Sequence, residues 1–177
     1  MTADCEKLLA FYAGSGVDHR GRNIEDVLKF SVSRMEETHD YVQWLFPLDE
    51  PSGVMSNAPQ VDELCQRAFA SDPRLKATLR RALDKMLGFY GMKLVGGPED
   101  SRVVKASYFA RRASQWLTPG NHNFSRLTRI LRSLSLLGEG QLAGSLLGCL
   151  EEIYEEYETV IGKTTYRYWR NAAPGKR

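Results

Sequence analysis

Apolar positions recur along this chain at intervals of three and four residues, and the polar residues between them fall where helices begin and end. Ala3 to Tyr12 reads as a short amphipathic helix, and the polar stretch Gly14 to Arg22 as a loop. Asn23 can cap a following helix whose first turn holds Glu25 and Asp26, two carboxylates at the positive end of the dipole. From Ser33 to Phe46 one helix is predicted, with Met35, Val42, Leu45 and Phe46 on its apolar face and Pro47 as its stop. A short helix is predicted over Val61 to Ala70. The clearest pattern begins at Asp72-Pro73, an N-cap followed by proline at the first helical position. Its stripe is Leu75, Leu79, Leu83, Met86, Leu87 and Tyr90, closed by Gly91.

Met92 to Val95 and Val103 to Ala106 can pair as a small hairpin or remain loop, the spacing favouring neither. Helical spacing resumes from Tyr108 to Leu117, and Thr118-Pro119-Gly120-Asn121 has the composition of a turn. Asn123 is expected to cap the next helix, with Leu127, Ile130, Leu131, Leu134 and Leu137 facing the core and Gly138 at its end. Glu139 to Tyr157 comes next, with Gly140, Gly144 and Gly148 spaced to admit a close neighbouring helix. A last helix runs from Lys163 to Asn171, before the tail Pro174-Gly175-Lys176-Arg177. The expectation is therefore all-α: a single-domain bundle of seven to eight helices over residues 1–170, with room for one small β-hairpin near residues 92–106. Residues 171–177 read as a flexible tail.

Composition narrows the function classes. The chain has 177 residues, 42% hydrophobic and 26% charged, enough to bury a core without metal or disulfide support. No cofactor or metal is expected on those grounds. Lys plus Arg number 24 against 22 Asp plus Glu, so charge alone does not point to nucleic acid. Cys5, Cys65 and Cys149 are odd in number and far apart, unlike a disulfide framework or a zinc site. No run approaches the roughly 18 apolar residues of a membrane-spanning helix, and the acidic start does not suit a signal peptide. A cytoplasmic location is the expectation.

Motifs for common chemistries fail. Gly162-Lys163-Thr164 lacks the glycine that a phosphate loop needs five residues earlier, where Tyr157 stands. Asn123-Phe124-Ser125 matches a glycosylation acceptor but is better explained by capping. GxSxG, HExxH and paired CxxC motifs are absent. Three places keep interest. On the helix before Pro47, Trp44 falls off the apolar stripe, as a contact to a neighbouring loop or, less favoured, an exposed anchor, with His39 and Gln43 on the stripe's edge. Asn121, His122 and Asn123 stand at a helix start, where backbone N–H groups can hold an anion. Arg126, Arg129 and Arg132 recur every three residues, as a phosphate-gripping face or as a solvated face partly paired with Glu151, Glu152, Glu155, Glu156 and Glu158.

At Asp40-Tyr41-Val42-Gln43-Trp44-Leu45-Phe46-Pro47 the chain resembles the conserved region of the opioid growth factor receptor family. Asp18-His19-Arg20-Gly21-Arg22, Leu87-Gly88-Phe89-Tyr90-Gly91, Trp116 to Asn123, Leu127 to Leu134 and Tyr168-Trp169 are similar in the same order, over nearly the whole chain. The resemblance implies a receptor for an opioid pentapeptide, associated with membranes, and this chain looks like a bacterial-type, single-domain member. The amine of such a peptide would need a carboxylate, for which Asp40 and Glu37 are nearest. The leading expectation is a binding module, not an enzyme, for an unknown small ligand, peptide or protein, with a groove near His39, Gln43, Trp44 and the Asn121 to Asn123 turn. Two alternatives stand beside it: nucleic-acid or phosphate binding through Arg126, Arg129 and Arg132, and an enzyme using His39 and His122 as acid–base partners.

Overall fold

The computed structural model describes residues 1–97 and 100–173. Among them are nine helices and one two-stranded antiparallel sheet, so the chain is mostly α with a single hairpin. They form two compact units: Met1–Lys85 with Leu136–Gly138, and Met86–Ser135 with the described residues from Glu139 on. No helix of the described residues is long and apolar enough to cross a membrane.

The first unit holds α1 (Ala3–Tyr12), α2 (Ile24–Leu28), α3 (Val32–Glu37), α4 (Val42–Leu45), α5 (Glu63–Ser71) and the first part of α6 (Pro73–Tyr90). Local chemistry sets the starts. Asn23 and Asp26 form a reciprocal capping box on α2. Asp62 accepts from Cys65 N with one oxygen and from Thr2 N with the other, both at 2.7 Å, and so ties the starts of α5 and α1 together. Leu8, Phe11, Leu45, Phe46, Phe69, Leu79 and Leu83 are wholly buried, and the Tyr12 hydroxyl donates to Leu45 O.

The single helix expected from Ser33 to Phe46 is two. Thr38 leaves the helical region (φ −97°, ψ 126°), and α4 resumes at Val42. Glu36 to Asp40 contains no apolar residue to bury, so nothing holds a third turn in place. A wheel drawn across such a break mispositions the residues beyond it, and Trp44, off the stripe on paper, is only 4% exposed.

The second unit holds the end of α6, β1 (Met92–Val95), β2 (Arg102–Lys105), α7 (Phe109–Trp116), α8 (Asn123–Leu136, up to Ser135) and α9 (Gly140–Ala172). The hairpin pairs Met92 with Lys105 and Val95 with Arg102; Pro98 and Glu99, in its expected turn, lie outside the described residues. Gly91 takes φ +82°, and a Cβ there would meet Phe109 Cα at 2.9 Å. Edge-to-face ring contacts run from Tyr90 to Trp116, Phe124 and Trp169.

α9 contains the break expected after Tyr157. Tyr157 and Gly162 leave helical geometry, Gly162 with φ +79° and ψ 152°. The chain reverses there: the Tyr154 and Tyr166 rings stack at 4.1 Å, whereas a straight helix would separate them by about 18 Å. The returning segment lies along α8, with Trp169 Nε1 donating to Phe124 O and Ser135 Oγ to Ala172 O. One expectation fails. A Cβ at Gly144 or Gly148 would meet nothing within 4 Å, so these glycines admit no close neighbour. The helix continues to Ala172, beyond the expected start of the tail at 171, and 174–177 lie outside the described residues.

Candidate functional site

In the first unit, two stretches far apart in sequence meet around Asp40. Residues 18–22 form a tight loop, closed by Asp18 N donating to Arg22 O and turned by Gly21 at φ +75°. The Asp18 side chain is inaccessible to solvent and accepts from the backbone N–H groups of Arg20 and Arg22 and from Arg22 Nε at 2.6 Å. Arg22 Nη2 reaches on to Asp40 Oδ1 at 2.8 Å, while Asp40 Oδ2 takes His19 Nε2 and Arg20 Nε, each at 3.2 Å. The result is a chain of alternating charge in which neither Asp18 nor Asp40 is left without a cation. Burial works against ionisation of Asp40, yet hydrogen bonds and charge from Arg22, with His19 and Arg20, hold its carboxyl below the usual carboxylate range. Burial likewise opposes the charge on Arg22, but Asp40 and Asp18 raise its pKa.

Beneath this rim lies α4. Trp44 meets the Phe11 ring edge-on at 5.3 Å, and the His19 ring lies parallel to it at 6.4 Å, 14° between planes. The favoured expectation for Trp44, a contact to a neighbouring loop, is what the structure contains, and the loop is 18–22. Gln43 is 5% exposed. Both Gln43 Oε1 and Trp44 Nε1 are buried without a hydrogen-bond partner. The other two tryptophans differ: Trp116 Nε1 donates to Tyr90 O and Trp169 Nε1 to Phe124 O, each at 3.1 Å. His39 is exposed on the connection between α3 and α4. Asp18, His19 and Arg22 were not among the expected site residues. The signal was present, since two acids with two arginines in the motif stretches can pair only if the loop folds back onto α4.

In the second unit, Gly120 at φ +68° turns the chain into α8. Asn121 supplies a local acceptor: its Oδ1 takes both the backbone N–H and the side-chain amide of Asn123 at 3.0 Å. Asn123 is wholly buried, its Oδ1 accepting from Tyr90 Oη and Arg126 Nη1. His122 is exposed, and its carbonyl accepts from Ser125 Oγ.

The three arginines expected to share a face differ in exposure. Arg126 is only 7% exposed, and Arg129 and Arg132 are half-buried. The reason is that α8 is covered on more than its leucine side, burying Ser133 and Arg126 along with Leu127, Ile130, Leu131 and Leu134. Glu151, Glu156 and Glu158 have other partners, in Tyr166, Lys105 and Tyr154. Of the six expected ligand residues, His39, Gln43 and Trp44 belong to the first unit and Asn121, His122 and Asn123 to the second; His39 and His122 divide in the same way. Among the described residues no group of three His, Cys, Asp or Glu side chains could hold a metal ion.

Comparison with known proteins gives one family. The model of the opioid growth factor receptor (OGFr) conserved region matches residues 6–173. The opioid growth factor receptor of Mus musculus is 42% identical over 121 residues, covering 65% of this chain and 18% of that protein. The Homo sapiens receptor is 40% identical over 121 residues, 65% of this chain and 17% of its own length. The opioid growth factor receptor-like protein 1 of Mus musculus is 37% identical over 124 residues, 67% of this chain and 25% of that protein. The chain thus spans about a fifth of the length of these vertebrate relatives. No solved structure matches.

Proposed function

This chain belongs to the family of the opioid growth factor receptor conserved region, and on that premise we propose that it is a binding module whose partner is a peptide, captured at the Asp40 rim of the first unit. One observation carries the reading: the two motif stretches, 18–22 and 40–47, converge there on a partly exposed surface, with 20% of the His19 side chain and 23% of the Asp40 side chain open to solvent. The names of the relatives, which describe receptors for a growth factor, agree with a peptide or protein partner. Asp40 is not a vacant counter-charge for a peptide amine, because Arg22, Arg20 and His19 already surround it. The rim instead offers a neutralised polar surface over an aromatic floor, which suits an uncharged stretch of chain better than a lone ammonium.

Calorimetry and thermal unfolding of the chain with an opioid pentapeptide test this reading. Saturable binding at about 100 times the Kd adds about 2.7 kcal/mol and raises Tm by about 5–10 °C. Arg20→Ala, which takes an exposed guanidinium from the rim around Asp40, should weaken that binding several-fold while the protein stays folded. Absence of heat and of any Tm shift at high peptide concentration would overturn peptide capture at this rim.

A further inference from the structure

Among the described residues, Gln43 Oε1 and Trp44 Nε1 are the buried side-chain polar atoms with no hydrogen-bond partner, and they stand on consecutive residues of α4. Such groups are rare in folded proteins, because each has given up water and received nothing in return. Here they are also complementary. The indole N–H can only donate, and the Gln43 carbonyl oxygen can only accept. Together they call for one acceptor and one donor.

Charge narrows it further. The ionised groups of the rim, Asp18, Arg22, Asp40 and Arg20, already pair with one another. A carboxylate would bring no donor and an ammonium no acceptor, and either would carry an unpaired charge into a buried place. A secondary amide is uncharged and planar and carries both groups. The His19 ring lies parallel to Trp44, 6.4 Å away between centroids, and is held to Asp40 Oδ2 at 3.2 Å on a side chain that is 20% exposed.

We propose that Gln43 and Trp44 form a recognition site for a peptide main-chain amide, reached by displacement of the His19 ring, with the ligand C=O accepting from Trp44 Nε1 and the ligand N–H donating to Gln43 Oε1. The inference rests on the peptide-binding reading above and names the part of the peptide that the site reads. It assigns the rim to positioning and the specificity to the two residues beneath it. It also accounts for leaving two polar groups unsatisfied in the free protein, since binding then supplies bonds that no internal partner competes for.

The test is a titration of the full chain with N-methylacetamide, the smallest molecule with one peptide bond, followed by the indole N–H signals in ¹H–¹⁵N spectra. The chain has three tryptophans, and Trp44→Phe assigns the Trp44 signal by its disappearance. That signal should move saturably, while those of Trp116 and Trp169, already bonded to carbonyls, stay. N,N-dimethylacetamide, an acceptor without a donor, should bind about fivefold more weakly, the worth of one hydrogen bond, and Gln43→Met should weaken N-methylacetamide by a similar factor. Gln43→Met should also unfold at no lower temperature than the parent chain, since it removes an unpaired acceptor. An unmoved Trp44 signal, an equal response to dimethylacetamide or to ethanol, or a persistent contact of the Trp44 indole proton with one internal water would each overturn the proposal. If an opioid pentapeptide binds while the Trp44 signal stays fixed, amide recognition falls and the binding-module reading stands. If the amide response holds and no peptide binds, the reading fails instead.

Discussion

With its side chain closed to solvent, the Asp18 carboxylate accepts from two backbone N–H groups and from Arg22 Nε. A loop of this polar composition would ordinarily be solvated; here one buried charge organises it and aims Arg22 at Asp40. Asp18→Asn preserves the shape but removes the charge, leaving Arg22 half-paired, and should cost about 2–4 kcal/mol in urea unfolding. A loss under about 0.5 kcal/mol, the level of an ordinary surface change, would show that the loop is held by its backbone bonds alone. Trp44 and Gln43 stood out in the sequence because an aromatic and an amide sat off or at the edge of an apolar stripe. Trp44 packs against Phe11 and His19, residues more than twenty positions away that no local pattern connects to it.

Elements were most legible where a single residue type sets the backbone. The Asn23 cap, the Asp72-Pro73 start, the Gly91 stop and the break near Gly162 are all found, because caps, proline and positive φ act within one turn. The glycines of α9 show the opposite case. Gly144 and Gly148 suggested a tightly packed neighbour, yet a Cβ at either would meet nothing within 4 Å. Gly144→Ala and Gly148→Ala should therefore each stabilise the protein by up to about 1 kcal/mol through helix propensity alone. Gly162→Ala, at φ +79° and ψ 152°, should instead cost about 1–3 kcal/mol, because that region is open almost only to glycine. Thermal unfolding of the three variants side by side separates the readings: destabilisation at 144 or 148 would mean that a neighbour does press on that face.

For the whole molecule the common electrostatic device is a carboxylate held ionised by N–H donors. Arg81 holds Glu25, the backbone of Cys65 and Thr2 holds Asp62, Arg74 holds Asp72, and Arg22 holds Asp40 against the opposing effect of burial, so each titrates below its ordinary value. A folded pKa below the unfolded one gives stability that is complete above about pH 4 and lost as pH falls through the folded values. The midpoint of thermal unfolding should thus drop steadily on acidification below about pH 4, and Asp40→Asn should flatten that slope. An unchanged slope in the variant would remove Asp40 from the acid response. Helix content, most boundaries and family membership were written locally in the chain, in period, caps and collinear motifs, which require no knowledge of what packs against what. Only the tertiary structure decided which polar side chains are buried: Asn123 rather than Asn121, Arg126 rather than solvent-facing leucine flanks, and the unpartnered Gln43 and Trp44. Burial belongs to pairs of surfaces from distant segments, and a periodicity within one segment carries the helix face but not its neighbour.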